Sequence, residues 1–156
     1  MSTASHYHFV TDWILAAPID AVWDVLNTPE EWPTWWKGVV DVELVEPGYR
    51  DGVGSLRRMT WKSRLPYRLV FTMRTTVVVR PSTIAGRADG ELQGTGVWSL
   101  TPADAGTAVR YDWRVEATTR WMRVLAPIAR PIFAWNHDVI MQWGYEGLQR
   151  RLKIRP

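Results

Sequence analysis

The chain has 156 residues, of which 46% are hydrophobic and 22% charged, values of an ordinary globular protein. Three lysines and sixteen arginines against sixteen carboxylates leave a net charge of +3, and the arginines form no run, so no nucleic-acid footprint is visible. The absence of cysteine excludes disulfides, thiolate catalysis and cysteine-ligated metal.

The length predicts a single domain over 1–156. Met1 to His8 lacks a basic segment followed by an apolar run, so no signal peptide is expected and the cytoplasm is the default location. Met122 to Tyr145 is apolar but broken by Arg123, Arg130, Asn136, His137 and Asp138, short of the ~20 apolar residues that span a bilayer. No integral membrane segment is expected. The compositional outlier is tryptophan, with eleven residues. So many indoles imply a thick aromatic core or a cavity with aromatic walls.

His6 to Ala16 alternates, with Tyr7, Phe9, Trp13 and Leu15 on one side, and reads as a strand. Pro18 opens a helix to Asn27 that carries Ile19, Val22, Trp23 and Leu26 on one face; Thr28-Pro29 breaks it, and Pro29 to Trp36 reads as a second short helix. Val39 to Glu46 alternates with Val40, Val42 and Leu44 together, followed by the turn signals Pro47-Gly48 and Asp51-Gly52. Ser55 to Ser63 predicts a strand bearing Met59 and Trp61. Tyr67 to Arg80 is the clearest strand: Tyr67, Leu69, Phe71, Met73, Val77 and Val79 share one parity, and arginines and threonines the other. Thr83 to Asp89 is a weaker strand. Gly94-Thr95-Gly96 lacks the third glycine of a dinucleotide loop and reads as a turn or bulge. Val97 to Thr101 and Thr107 to Ala117 predict two further strands around the turn Asp104-Ala105-Gly106, the second with Val109, Tyr111, Trp113 and Val115 together. From Trp121 to Lys153 the period becomes helical, and Pro127 and Pro131 suggest a kinked or two-part start.

This order predicts an α+β helix-grip fold: a curved antiparallel sheet of six or seven strands around a long C-terminal helix, with two short helices plugging one end. On a helical wheel Leu125, Ala129, Ile132, Asn136, Ile140, Trp143 and Gly147 form one line, read here as the buried side, with Asp138, Gln142, Tyr145 and Gln149 opposite. Asn136 then needs partners, which a sheet hydroxyl, water or a ligand supplies. His137 lies on a shoulder with Phe133, Met141, Gly144 and Leu148; it reads as structural or as a general acid–base. Gly144 and Gly147 imply close packing or room for a ligand.

Ala17-Pro18 with Val22-Trp23, the run Trp32-Pro33-Thr34-Trp35-Trp36, Gly94-Thr95-Gly96-Val97-Trp98 and Gly106-Thr107 resemble the START-like, polyketide cyclase/dehydrase and lipid-transport superfamily (SRPBCC) over essentially the whole chain. That resemblance implies a cavity between the concave sheet face and the long helix. It carries no universal catalytic motif, so no catalytic residue transfers.

His6 and His8 share a strand face without an evident third ligand, so no metal and no cofactor are expected. Ser99 lacks the context of a hydrolase nucleophile. The expected function is binding or transport of a small hydrophobic or aromatic molecule, lipid or polyketide-like, in a pocket of ~300–1,000 Å³. Its expected walls are Trp61, Tyr67, Leu69, Phe71, Met73, Trp98, Tyr111 and Trp113 from the sheet and Asn136, Ile140 and Trp143 from the helix, with Tyr111 and Asn136 as polar anchors. The alternative is a polyketide cyclase or dehydratase of aromatase type. There His137 or Tyr111 would shuttle protons and Arg130 would steady an enolate or a phosphate. A protein-binding module is a third class. The sequence leaves open whether the protein is a monomer or a dimer, and whether its own indoles fill the cavity.

Overall fold

Proline and glycine punctuate the chain, and between them the side-chain period sets each element. The computed structural model describes residues 5–154. In chain order they form β1 (His6–Leu15), α1 (Ile19–Leu26), a 3₁₀ turn (Pro29–Glu31), α2 (Trp32–Trp35), β2 (Val39–Glu46), β3 (Leu56–Lys62), β4 (Arg68–Val79), β5 (Thr83–Gly90), β6 (Leu92–Ala103), β7 (Gly106–Ala117) and α3 (Arg120–Ile154). The strands make one antiparallel sheet in the order β1-β7-β6-β5-β4-β3-β2. Five hairpin steps build the meander from β2 to β7, and β1 closes against the last strand, His6 opposite Glu116 through Leu15 opposite Thr107. The sheet grips α3 in a helix-grip fold, with α1 and α2 at one end.

The core follows the strand parity wherever the ladder is regular. Tyr7, Trp13 and Leu15 of β1 and Val109, Trp113 and Val115 of β7 are buried, while Val10 and Ile14 face out. Where the ladder slips, the parity slips with it. A bulge between Thr75 and Val77 lets one extra residue into β4, so Val77 and Val79 turn to the exposed face and Val78 packs on the core instead. A register shift between Val39 and Asp41 inside β2 acts likewise: Val39 and Val42 are buried and Val40 is exposed, while Leu44, though in step with Val42, is exposed near the end of this edge strand.

Gly94-Thr95-Gly96 is neither turn nor bulge. All three residues lie inside β6, paired in unbroken register with β5 and β7. The glycines are needed for space. A side chain at Gly96 would collide with the Tyr111 hydroxyl and the Trp113 ring, and one at Gly94 with the Arg114 carbonyl.

A single helix, α3, runs through both Pro127 and Pro131 and is not divided by them. Its buried line passes through Met122, Ala126, Met141 and Leu148, with Phe133 and His137 between them, so the shoulder is the centre of the inner face and Asn136 is its flank. Leu125 and Ile132, expected inside, are about half exposed. Tyr145, expected outside, tilts onto Trp13 and donates its hydroxyl hydrogen to the Ile14 carbonyl at 3.0 Å. The wheel placed the stripe about a quarter-turn off, because apolar residues lie all round the first half of this helix.

The two late glycines of α3 serve packing. Gly144 leaves a notch for the Trp36 indole, and Gly147 lets the Trp35 carbonyl touch the helix backbone. Gly147→Ala is therefore expected to destabilise the fold by about 1–3 kcal/mol through overpacking. Intrinsic helix propensity alone predicts a gain of ~1 kcal/mol. The sign of the change in urea unfolding free energy decides between the two.

Candidate functional site: an indole-walled cavity

Between the inner sheet face and α3 lies a cavity of about 150 Å³. β1 contributes Tyr7 and Phe9, β3 Met59 and Trp61, β4 Leu69, Phe71 and Met73, β6 Leu92 and Trp98, and β7 Tyr111, Trp113 and Val115. Tyr67 lines it from the loop before β4, Trp32 and Trp36 close the end near α2, and Met122, Phe133, Asn136, His137, Ile140 and Met141 form the helical wall. A smaller void of about 60 Å³ lies next to it and shares Trp32, Met59, Met73, Trp98 and Tyr111.

The walls hold each other in place by ring packing. Trp36 lies edge-on to Trp61 at 5.1 Å and to Trp98 at 6.1 Å, Trp98 tilts over Tyr111 at 4.2 Å, and Tyr111 stacks on Trp113 at 5.7 Å. The Trp36 indole N–H donates to the Ile140 carbonyl at 2.9 Å, which ties α2 to α3. Because these rings lean on one another, they leave the middle open.

The structure thus brings together ten of the eleven side chains expected to form walls: Trp61, Tyr67, Leu69, Phe71, Met73, Trp98, Tyr111, Trp113, Asn136 and Ile140. Trp143 is not among them. It lies off the inner line of α3, against Gly38, with the Lys37 ammonium 4.6 Å and the Arg64 guanidinium 5.8 Å from its rings. Arg130 is also outside the lining. Its guanidinium stacks 4.7 Å behind the Tyr7 ring and donates to the His6 carbonyl at 2.8 Å, so an aromatic ring separates it from the cavity. Nor does the void reach the ~300 Å³ of a usual drug-sized pocket. Tyr7, Phe9, Trp32, Trp36 and Phe133 line the void although sequence reading did not select them. The inward parity of Tyr7 and Phe9 was the signal available.

Polar groups are few. Asn136 accepts a hydrogen bond from the Ser63 hydroxyl through its side-chain oxygen. His137 stacks on Phe9 at 4.1 Å, with its side chain 13% exposed. Its Nδ1 has no hydrogen-bond partner, and the Asp138 carboxylate, at 3.9 Å, is out of reach. Burial lowers the His137 pKa to about 4, so the imidazole is neutral at physiological pH. Burial, then the nearby Asp112 charge, raises the Tyr111 pKa and keeps it a neutral phenol; burial also raises Tyr7 and Tyr67. The Tyr7 hydroxyl and the Trp61 indole N–H likewise lack partners. His6 and His8 lie away from the void, beside Glu116 at 3.5 Å and Asp112 at 3.2 Å. Among the described residues no three His, Asp or Glu side chains gather as metal ligands.

Residues 7–153 match the family of polyketide cyclase/dehydrase and lipid transport proteins. The chain belongs to that family. Its fold is shared at TM-score 0.77 and 18% identity by the di-domain aromatase/cyclase BexL of the BE-7585A biosynthetic pathway, covering 98% of this chain and 52% of that one. This chain therefore spans about half of the di-domain protein. ZhuI aromatase/cyclase of Streptomyces sp. R1128 superposes at TM-score 0.72 and 18% identity, over 95% of this chain and 94% of its own. A START superfamily protein of Mycobacterium smegmatis does so at TM-score 0.72 and 15% identity, over 95% and 97%. At these identities the likeness establishes the fold. No curated protein sequence gives a significant match.

The low His137 pKa makes stability depend on pH within this family member. The native state resists protonation down to about pH 4, whereas the unfolded chain takes up the proton near 6.5. The stability held above pH 6.5 is thus lost as pH falls toward 4, by about 3 kcal/mol. His137→Phe, which keeps the stack on Phe9, is expected to remove that share of the loss. Urea unfolding at neutral pH and near pH 4.5 measures it, as the change in the difference between wild type and variant.

Proposed function

We propose that this chain binds or carries a small hydrophobic, aromatic molecule in the cavity between sheet and helix. The observation that carries the reading is an apolar void of about 150 Å³ held open inside a tryptophan-rich core. An empty void of that volume costs about 4 kcal/mol at ~24 cal/mol per Å³. A ligand that fills it recovers much of that cost. Apolar cavities of this size hold one benzene ring. The lining adds the Trp61 N–H, the Tyr7 hydroxyl and His137 Nδ1, none with a partner inside the protein. Each leaves ~1–3 kcal/mol unrecovered until a polar atom meets it. A single-ring phenol or aryl ketone supplies both the ring and the oxygen.

A second reading rests on the neutral imidazole of His137 and the phenol of Tyr111 lining one void. Those two groups suit proton transfer in a cyclase or dehydratase, and BexL and ZhuI are described as aromatase/cyclases. A poly-ketone chain exceeds one ring, so it requires Met73 and Trp98 to swing aside and join the two voids. Arg130, behind Tyr7, takes no part in this reading.

Calorimetric titration with p-cresol tests the proposal. Wild type is expected to bind it, and Leu69→Trp, which fills the void, is expected to bind about tenfold or more weakly with unchanged circular dichroism. Absence of binding, or equal affinity in the variant, counts against the cavity as the site. His137→Ala and Tyr111→Phe separate the two readings. In either reading His137→Ala is expected to bind p-cresol more weakly; only an enzyme turns over a poly-β-ketone thioester in the wild type and loses that turnover in both variants.

A further inference from the structure

The outer face of α3 breaks the rule that the helix otherwise obeys. Trp121, Val124, Leu125, Ile128, Ile132 and Trp135 share one face of the helix, each three or four residues from another of the set, and all are exposed, Val124 by 66% and Ile128 by 82%. At 100° per residue they fall within a stripe about 100° wide, opposite the buried line through Ala126, His137 and Met141. Solvent is expected there, and in the second half of the helix the same face is indeed polar, with Gln142, Glu146, Arg150 and Lys153. The apolar outer face is therefore confined to the first half of α3.

Charge is confined in the same way. From Ala117 to His137 the sequence has no carboxylate; its charged residues are Arg120, Arg123 and Arg130. Arg130 is turned inward onto Tyr7 and Arg123 points to the other side of the helix, which leaves Arg120 exposed beside the stripe. Tryptophans mark both ends of the stripe, the positions where indoles settle between headgroups and acyl chains. Trp121 also reaches inward: its ring meets Tyr67 at 4.8 Å and Phe133 at 6.3 Å, and both line the cavity. The exposed apolar surface is thus continuous with the cavity wall.

We infer that the first half of α3 docks this protein on an anionic phospholipid surface, lying in the interface with Trp121, Ile128 and Trp135 among the acyl chains and Arg120 against headgroup phosphates. The stripe is about 21 Å long at 1.5 Å per residue and one helix wide, a footprint of about 200 Å². A stable contact between two copies needs ~800 Å² per partner, so the face is too narrow for a dimer, whereas a bilayer demands no matching shape. No helix among the described residues is long and apolar enough to cross a membrane, so the contact is peripheral. The inference is independent of the cavity's ligand, since vesicle binding is read with no ligand present.

Co-sedimentation with vesicles tests it. Wild type is expected to bind phosphatidylcholine vesicles containing phosphatidylglycerol at low salt, and about tenfold less to phosphatidylcholine alone or in high salt. Ile128→Glu and Arg120→Glu, both at exposed positions, are each expected to cut anionic-vesicle binding about tenfold while leaving the thermal midpoint and p-cresol affinity unchanged. Failure of wild type to sediment with anionic vesicles overturns the inference, as does equal binding by Ile128→Glu. A wild-type dimer in light scattering that Ile128→Glu converts to monomer also overturns it, and gives the face to a second copy of the chain.

Discussion

One hydrogen bond organises this molecule: the Trp36 indole N–H to the Ile140 carbonyl, made through the notch at Gly144. Any side chain at residue 144 would overlap the indole, and a smaller residue at 36 would leave α2 without its grip on α3. With Trp36 fixed, Trp32, Trp61 and Trp98 have a ring to lean on, at 5.1, 5.1 and 6.1 Å. Trp36 thereby sits as a ring-thick spacer between α3 and the indoles of the sheet at one end of the void.

Aromatic walls also explain how a void survives in so apolar an interior. Aliphatic side chains flow into gaps by changing rotamer, whereas stacked and edge-on rings lock their neighbours' planes. Phe9 against His137, Trp98 against Tyr111 and Tyr111 against Trp113 form such locked sets around the opening. The polar atoms admitted to this wall are all neutral. Desolvation alone keeps His137 uncharged, with Asp138 too far away to restore the proton. The site is therefore suited to uncharged guests with one or two oxygens.

The strand order, the helix at the end and most of the cavity wall were legible in the sequence because period-2 alternation survives wherever the ladder is regular. Tyr67 to Met73 and Val109 to Val115 are the clearest cases. What misled the reading was local. The bulge at Thr75/Val77 inverts everything after it, yet nothing in the run Thr75-Thr76-Val77-Val78-Val79 announces it. Gly94 and Gly96 look like a turn because glycine usually signals one; here they answer to rings on the neighbouring strand, a demand invisible without pairing. On α3 the apolar residues encircle the first half of the helix, so the wheel had no unique greasy side. It centred on Asn136 instead of His137 and drew in Trp143, Leu125 and Ile132.

Gly86 and Gly96 face each other across β5 and β6, and above this bare patch lean the Met73 methyl and the Tyr111 hydroxyl. The patch works as a recess in the floor. Two wall-forming side chains are partly sunk into it and so intrude less on the chamber overhead. Growth of Gly96 by one carbon would press on the Tyr111 hydroxyl and the Trp113 ring, and growth of Gly86 on the Met73 methyl and the Arg74 carbonyl, crowding the chamber from below. Chamber depth in this architecture is thus set in part at a single cross-strand pair, remote from α3.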